Sequence, residues 1–580
     1  MEYRGYDSAG IATIDSARRL ARRRSVGRLV NLQDLLVHDP LSGKSGIGHT
    51  RWATHGAPTV TNAHPHQTGR VAVVHNGIIE NFKELRADLE ASGMEFQTET
   101  DSETIVALTE HYLAQGLSPR DAAEQTIARL EGAYALCFLF DGEDDLMIAA
   151  RKGSPLVVGH GDGEVFVGSD AIALGPLTDR VTYLEEGDWA VLTRDSVEIL
   201  DTHGRHANRA VTTVSLDAAK IDKAGYKHFM AKEIAEQPTV IGEAISAYTR
   251  DGTLALPDLD FSGVDRILIV ACGTAYLAGS VARYWFERIA RVPVEVDIAS
   301  EFRYREPPIQ DRTLTIVLSQ SGETADTLAA LRYVKDRSRI VSITNVDTSS
   351  IAREADLNLP IHAGAEIGVA STKAFSCKLA VLAVLALKAA QDRGVLDPAE
   401  VAAQMAELQR LPGLVNQALD RSDDIEEAAR KIASAQDVLF LGRGQMYPLA
   451  LEGALKLKEI SYIHAEGYAS GELKHGPIAL VDETVPVIVM APRDALFEKT
   501  ISNMQEVMAR DGKIVLITDA EGAKVAGDGV WISLIMPNVS DLCAPILYAI
   551  PAQLLAYHVA VAKGTDVDQP RNLAKSVTVE

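Results

Sequence analysis

Cysteine is scarce in this chain: four residues in 580, at positions 137, 272, 377 and 543. Their scatter leaves no metal-ligand spacing and no disulfide framework, which argues against a stapled secreted domain and fits a reducing cytoplasm. Long apolar runs are also missing. The stretch 379–387 is among the longest, far short of the roughly 20 residues a bilayer demands. The first residues, Met1-Glu2-Tyr3-Arg4-Gly5-Tyr6, hold no apolar signal region. Positive charge is in deficit, with Lys+Arg 57 against Asp+Glu 80 and a net charge of −23. Neither nucleic acid nor an anionic membrane is therefore expected as a partner, and a site for an anionic ligand has to be built locally. One absence runs the other way. Between residues 40 and 79 there is no Asp or Glu at all, which in so acidic a chain marks a locally positive stretch.

What is present is an ordinary globular composition, 47% hydrophobic and 24% charged. The length implies three or four domains at roughly 150 residues each. Up to about residue 210 the chain reads as mixed strands (71–75, 135–140, 146–150, 189–193) and helices (81–92, 102–114, 119–130), punctuated by glycine and aspartate. A polar stretch, 201–227, reads as a linker. The remainder contains a weak repeat. Ile267-Leu268-Ile269-Val270-Ala271-Cys272-Gly273 resembles Val438-Leu439-Phe440-Leu441-Gly442-Arg443-Gly444. Thr315 to Leu318 resembles Val487 to Met490, and Ile340 to Thr344 resembles Ile514 to Thr518. In each copy a strand, a glycine and a helical pattern follow one another, which implies a doubly wound parallel sheet with ligands at the carboxyl ends of its strands.

Only the first copy carries Ser319-Gln320-Ser321-Gly322-Glu323-Thr324 between a β-branched strand and a helix. Such a turn offers backbone N–H groups, hydroxyls and the positive end of a helix dipole, which suits a phosphate monoester. It has no P-loop lysine, so a nucleoside triphosphate is a poor fit. The second copy has Ala491-Pro492-Arg493-Asp494 there. A further loop, Gly368-Val369-Ala370-Ser371-Thr372-Lys373, precedes another helix and could add hydroxyl donors or serve as a plain cap. In the second copy Glu452, Lys456 and Glu459 share one helix face; alone, that spacing reads as a solvated ion pair. His475 lies between Lys474 and the turn Gly476-Pro477, a rigid setting suited to acid–base work and equally found on surfaces. The chain ends with Lys575 inside a tail punctuated by Pro570, Arg571 and Asn572. Five of the 15 histidines fall within residues 49–75, which raises zinc. The missing acids favour capture of a carboxylate by Arg51 instead. Asn76-Gly77, after a strand, could present a side-chain amide and a backbone N–H to an oxyanion, or form a simple turn.

Together these segments (2–10, 49–56, 75–81, 319–324, 456–464, 472–477 and 566–580) closely resemble the glutamine–fructose-6-phosphate aminotransferase (isomerising) family. The resemblance spans essentially the whole chain. It implies an α/β architecture: an N-terminal-nucleophile αββα glutaminase sandwich, truncated at its start, over 1–210. A linker (211–240), sugar-isomerase domains at 241–395 and 425–565, and a catalytic tail (566–580) follow. It implies that Arg51, Thr54, His55 and Asp101 hold glutamine, that Asn76 and Gly77 form the oxyanion hole, and that Trp52 gates an ammonia channel. It implies that Thr274, Ser319, Gln320, Ser321, Thr324, Val369, Ser371 and Ala574 hold the sugar phosphate. Lys575 would form a Schiff base with fructose 6-phosphate, His475 would assist ring opening, and Glu459, near Lys456, would move the C1 proton. No cofactor or metal and a homodimer are implied. The sequence departs from the family in two places. Ala275 stands where a serine is common. The family's nucleophilic cysteine has no counterpart, because residues 1–10 match an internal stretch, and Cys137 reads as a core residue. The chain as given is therefore expected to take free ammonia.

Overall fold

The computed structural model describes residues 7–51, 56–214, 223–250, 253–256 and 258–578. They form two compact units, Met1–Asp222 with Asn572–Glu580, and Lys223–Arg571.

In the first unit the strands Val71–Ile79, Gly132–Phe140, Met147–Lys152 and Trp189–Leu192 lie in one six-stranded antiparallel sheet. The two-residue period of a strand sorts their side chains. Val71, Val73, Phe138 and Phe140 face the helices Phe82–Ala91, Ser102–Ala114 and Pro119–Arg129. Ala72, Cys137 and Leu139 face the other way, onto Ala12, Ile14 and Ile47 of a three-stranded sheet. Beyond that sheet lies the helix Leu29–His38. The order helix, sheet, sheet, helix is the expected αββα sandwich. Cys137 is fully buried, and burial pushes its thiol up to about 12, as befits a core residue.

The second unit holds two five-stranded parallel sheets of identical strand order. In the first, Arg266–Ala271 lies between Val294–Ile298 and Thr313–Leu318, with Arg339–Thr344 and Leu357–Pro360 beyond. In the second, Asp437–Gly442 lies between His464–Ala469 and Pro486–Met490. The chain leaves the first strand of each sheet on one side and returns on the other, so a crevice opens at the carboxyl ends of the first and third strands. The repeat read from the sequence is thus real.

One hydrophobic core runs through both copies. At its centre are Lys373–Asp392 and Ala544–Lys563, each 20 residues long and apolar enough to cross a membrane, yet 89% and 83% buried over their most apolar windows. Mean hydropathy along these helices is high although no uninterrupted run is long. A satisfied polar chain stitches them to the helix Gln237–Ser246: Ser376 Oγ donates to Gln237, Gln237 to Gln553, and Gln553 to the Thr372 carbonyl. Two expectations change here. Residues 229–240, read as linker, form the helix Phe229–Ala235 and the start of Gln237–Ser246. Met230 and Ile234 of that helix are core residues. Polar spellings, Lys232 and Glu233 of that helix and Gln237 of the next, hid the pattern because all three are buried with partners. The tail read as one segment also divides, residues up to Arg571 going with the second unit and Asn572–Glu580 with the first.

Candidate active site

In the first unit the candidate glutamine residues gather where Ser45–Arg51 and Val71–Ile79 end. Arg51 is buried, and its guanidinium donates to the carbonyls of Gly56 (2.9 Å) and Ala57 (3.3 Å). Asp7 lies 3.7 Å away. Asp101 is buried at the head of Ser102–Ala114 and accepts the Ile79 N–H at 2.8 Å, which ties that helix to the strand. Asn76 Oδ1 pairs with His49 Nε2 at 2.7 Å, and this fixes the plane of the amide. Gly77 has φ 135, and a Cβ there would stand 2.0 Å from the Ala133 carbonyl oxygen. Only glycine lets this backbone lie so close to the neighbouring strand. Beside Asn76 a cavity of about 330 Å³ opens between the sheets, lined by His49, Asn76, Cys137 and Phe166 among others. Trp52, Thr54 and His55 lie outside the described residues.

Among the described residues, buried His64, His66 and His75 form a cluster with half-buried His49. The rings of His49 and His64 are 4.3 Å apart, and those of His64 and His66 4.7 Å. Burial holds His49 down to about 4 and His64 and His66 well below the ordinary value, so all three are neutral near pH 7. His75 pairs with Ser102 Oγ at 2.9 Å. The positive stretch is less positive in space than in sequence. Glu99 and Asp101 enter from the following loop, and Glu99 accepts from Ala57 N and Asn62 Nδ2. His49, which orients Asn76, was not singled out as a site residue. Its only signal was membership of the histidine-rich stretch.

In the second unit the Ser319–Thr324 turn sits at the crevice of the first sheet, directly after Thr313–Leu318. Ser319 Oγ pairs with Thr324 Oγ1 (2.9 Å) and accepts the Gly322 N–H (3.0 Å). Ser321 Oγ accepts the Glu323 N–H at 3.1 Å. Gly322 has φ 68, and a Cβ there would meet Ser349 Oγ at 1.8 Å. The turn is thus a closed loop at the head of the helix Ala325–Val334. The second loop is organised by buried Glu366. Its carboxylate accepts from Thr372 N (2.9 Å), Ala374 N (3.0 Å) and Ser371 Oγ (3.1 Å).

Thr274 opens the helix Gly273–Ile289 after the first strand of that sheet. Its hydroxyl meets Lys456 Nζ at 3.1 Å and Glu452 at 3.2 Å, both from the second copy's helix Met446–Ser461. Lys456 Nζ also lies 2.5 Å from Glu459. This corrects the local reading of a solvated pair. The Lys456 and Glu452 side chains are 1% and 2% exposed. Burial disfavours the Lys456 ammonium, but the charges of Glu452 and Glu459 outweigh it and leave the lysine more basic than usual. Burial pushes Glu452 up to about 7 in spite of Lys456. Spacing alone cannot tell a buried triad from an exposed one, because packing of the other copy decides it. His475 is exposed at the end of the 3-10 helix Ser470–His475. Lys575 is half-buried and, with Ala574, belongs to the segment grouped with the first unit.

The sequence matches the glutamine amidotransferase domain family over residues 51–176 and the SIS domain family twice, over 260–388 and 431–563. Fold and site together define a glutamine amidotransferase joined to a paired SIS unit. The chain is 59% identical over 587 residues to a glutamine–fructose-6-phosphate aminotransferase (isomerising) of Bradyrhizobium diazoefficiens, covering 100% of this chain and 96% of that protein. It is 59% identical over 585 residues to the protein of that name from Zymomonas mobilis, with the same coverage. The C-terminal domain of glucosamine-fructose-6-phosphate aminotransferase from Francisella tularensis superposes with a TM-score of 0.59 at 47% identity, over 60% of this chain and 100% of that one. The chain belongs to the glutamine–fructose-6-phosphate aminotransferase (isomerising) family.

Proposed function

We propose that this protein converts fructose 6-phosphate and a nitrogen donor, glutamine or ammonia, into glucosamine 6-phosphate. The observation that carries the reading is the Thr274–Lys456–Glu459 bridge. It joins the helix head beside the crevice of one SIS copy to a partly buried carboxylate of the other, which is what a reaction needs when it holds a phosphorylated sugar and moves a proton on it.

In this reading Ser319, Gln320, Ser321 and Thr324 hold the phosphate with Thr274, Val369, Ser371 and Ala574 around the sugar. His475 assists ring opening. The neutral amine of Lys575 attacks the C2 ketone, and loss of water gives an imine that ammonia displaces. The Glu459 carboxylate takes a proton from C1 and returns it to C2, so a ketose imine becomes an amino-aldose with no net oxidation. The Lys456 ammonium, 2.5 Å away, anchors the Glu459 carboxylate. In the glutaminase half, Arg51 and Asp101, with Thr54 and His55, bind the α-carboxylate and α-amine of glutamine. Asn76 and Gly77 stabilise the oxyanion, and Trp52 gates ammonia. The chemistry calls for no cofactor, and the working form is a cytoplasmic homodimer.

The test is nitrogen tracing. Protein supplied with fructose 6-phosphate and ¹⁵N-ammonium should place label on C2 of glucosamine 6-phosphate. Formation of glucose 6-phosphate without nitrogen would identify a plain isomerase and overturn the reading.

A further inference from the structure

The base of the C-terminal tail is fastened to both SIS copies at once. Asp568 is 9% exposed. Its two carboxylate oxygens accept separately from the N–H groups of Phe229 (2.9 Å) and Met230 (3.0 Å) at the head of Phe229–Ala235. Its backbone carbonyl accepts the Val369 N–H at 3.0 Å, inside the second sugar loop. On one side of it, Thr565 Oγ1 donates to the Ile460 carbonyl at 2.6 Å. On the other, the Arg571 N–H donates to Tyr462 Oη at 2.8 Å, and its guanidinium lies 4.2 Å from the centre of that ring. Ile460 and Tyr462 belong to the end of the helix that carries Glu452, Lys456 and Glu459. The sugar loop is held from the same side, since Glu233 of Phe229–Ala235 accepts the N–H groups of Ile367 and Gly368.

Asp568 therefore closes a ring of contacts: tail to helix, helix to sugar loop, sugar loop back to tail. Both carboxylate oxygens are used, and each meets a donor that would otherwise be an orphan of the helix start. We propose that Asp568 is a positioning residue for the amination step, locking residues 566–571 to the Val369 loop so that the lysine farther along the tail is presented in register with the bound sugar. This rests on the reading of Lys575 as the imine-forming amine. The role is one of geometry, since Asp568 donates nothing to the sugar. A small misplacement of a nucleophile is enough to cost a large factor in rate.

The experiment compares wild type with Asp568→Ala, Asp568→Asn and Asp568→Glu. Sodium borohydride is added with fructose 6-phosphate, and the rate of adduct formation is followed by mass spectrometry of the C-terminal peptide. Rates are normalised to the folded fraction, counted by calorimetric titration with fructose 6-phosphate. Asp568→Ala is expected to slow trapping and kcat by about tenfold while the sugar-phosphate Kd moves by less than threefold, because the Ser319–Thr324 turn is closed by its own bonds. Asp568→Asn, which swaps one acceptor for a donor, should resemble Ala. Asp568→Glu, which keeps both acceptors, should recover part of the loss. Should Ala fail to fold, Asn and Glu decide by the same measure. An adduct on Lys575 that forms at wild-type rate in Ala or Asn overturns this proposal alone. A wild-type adduct on another lysine overturns the Schiff-base reading and this proposal with it.

Discussion

Ser321 and Lys456 show how differently two polar side chains can serve one site. Ser321 is half-buried in the crevice, where its hydroxyl accepts one N–H, and in the proposed function that hydroxyl also meets the phosphate. A hydrogen bond to a charged group is worth roughly 1.5–3 kcal/mol, so Ser321→Ala should weaken fructose 6-phosphate binding about ten- to a hundredfold. Isothermal calorimetry measures it directly, and an unchanged Kd would reduce the turn to a helix cap. Lys456 is structural and electrostatic at once. Lys456→Met leaves Glu452 and Glu459 facing each other in a buried site without their cation. Removing one member of a buried ion pair costs roughly 3–5 kcal/mol, and the candidate base would lose the cation that anchors it. Activity should disappear and the denaturation midpoint should fall. The double variant Glu452→Gln, Lys456→Met should regain part of the stability but none of the activity; additive losses in urea melts would show that the two side chains are not coupled.

At the scale of elements, the Ser319–Thr324 turn and the strands around it were legible because each is written locally. A β-branched run, a hydroxyl-rich turn and a helical spacing need no distant partner. The helix Ser102–Ala114 matched the sequence reading for the same reason. What escaped was decided by packing. Glu452 and Lys456 have the spacing of a surface pair, and the packing of Met446–Ser461 against Ala544–Lys563 and Gly273–Ile289 makes them interior. Phe229–Ala235 looked like linker because its charged residues gave no sign of being buried. Two glycines carry the backbone of the candidate sites, and they provide a test at this scale. Gly322→Ala must adopt φ near 68 and press a methyl group into Ser349 Oγ. The turn should open, with a loss of roughly 1–3 kcal/mol in stability and a fall in sugar-phosphate affinity. Ser349→Gly in the same protein should relieve the clash but not the φ strain. A stable, tightly binding Gly322→Ala protein would mean that the turn is not held closed.

For the molecule as a whole, the two units should respond to acid unequally. His49, His64 and His66 are neutral in the fold because burial disfavours their charged forms, while in the unfolded chain they titrate near 6.5. The unfolded state therefore binds more protons below that pH. Stability is intact above about 6.5 and drains away as pH falls toward about 4, where His49 titrates in the fold. A depression of that size is worth roughly 3 kcal/mol for His49 alone. Calorimetric scans between pH 7.5 and 4.5 should show a transition of the N-terminal unit moving sharply down while that of the SIS unit moves less. His49→Asn should blunt the shift, and a transition indifferent to pH in this range would contradict the neutral cluster.

The bridge from Thr274 to Lys456 has one more consequence, and it concerns ancestry. Two copies of one fold, each with the same strand order, would at first have carried equivalent crevices. In this chain the first copy keeps the hydroxyl-rich turn where the second has Ala491-Pro492-Arg493-Asp494, and the second supplies Glu452, Lys456 and Glu459 across the boundary. Duplication has become division of labour. In the proposed function neither copy could revert to working as a symmetric pair of itself, since two first copies would lack the candidate base and two second copies the candidate phosphate turn.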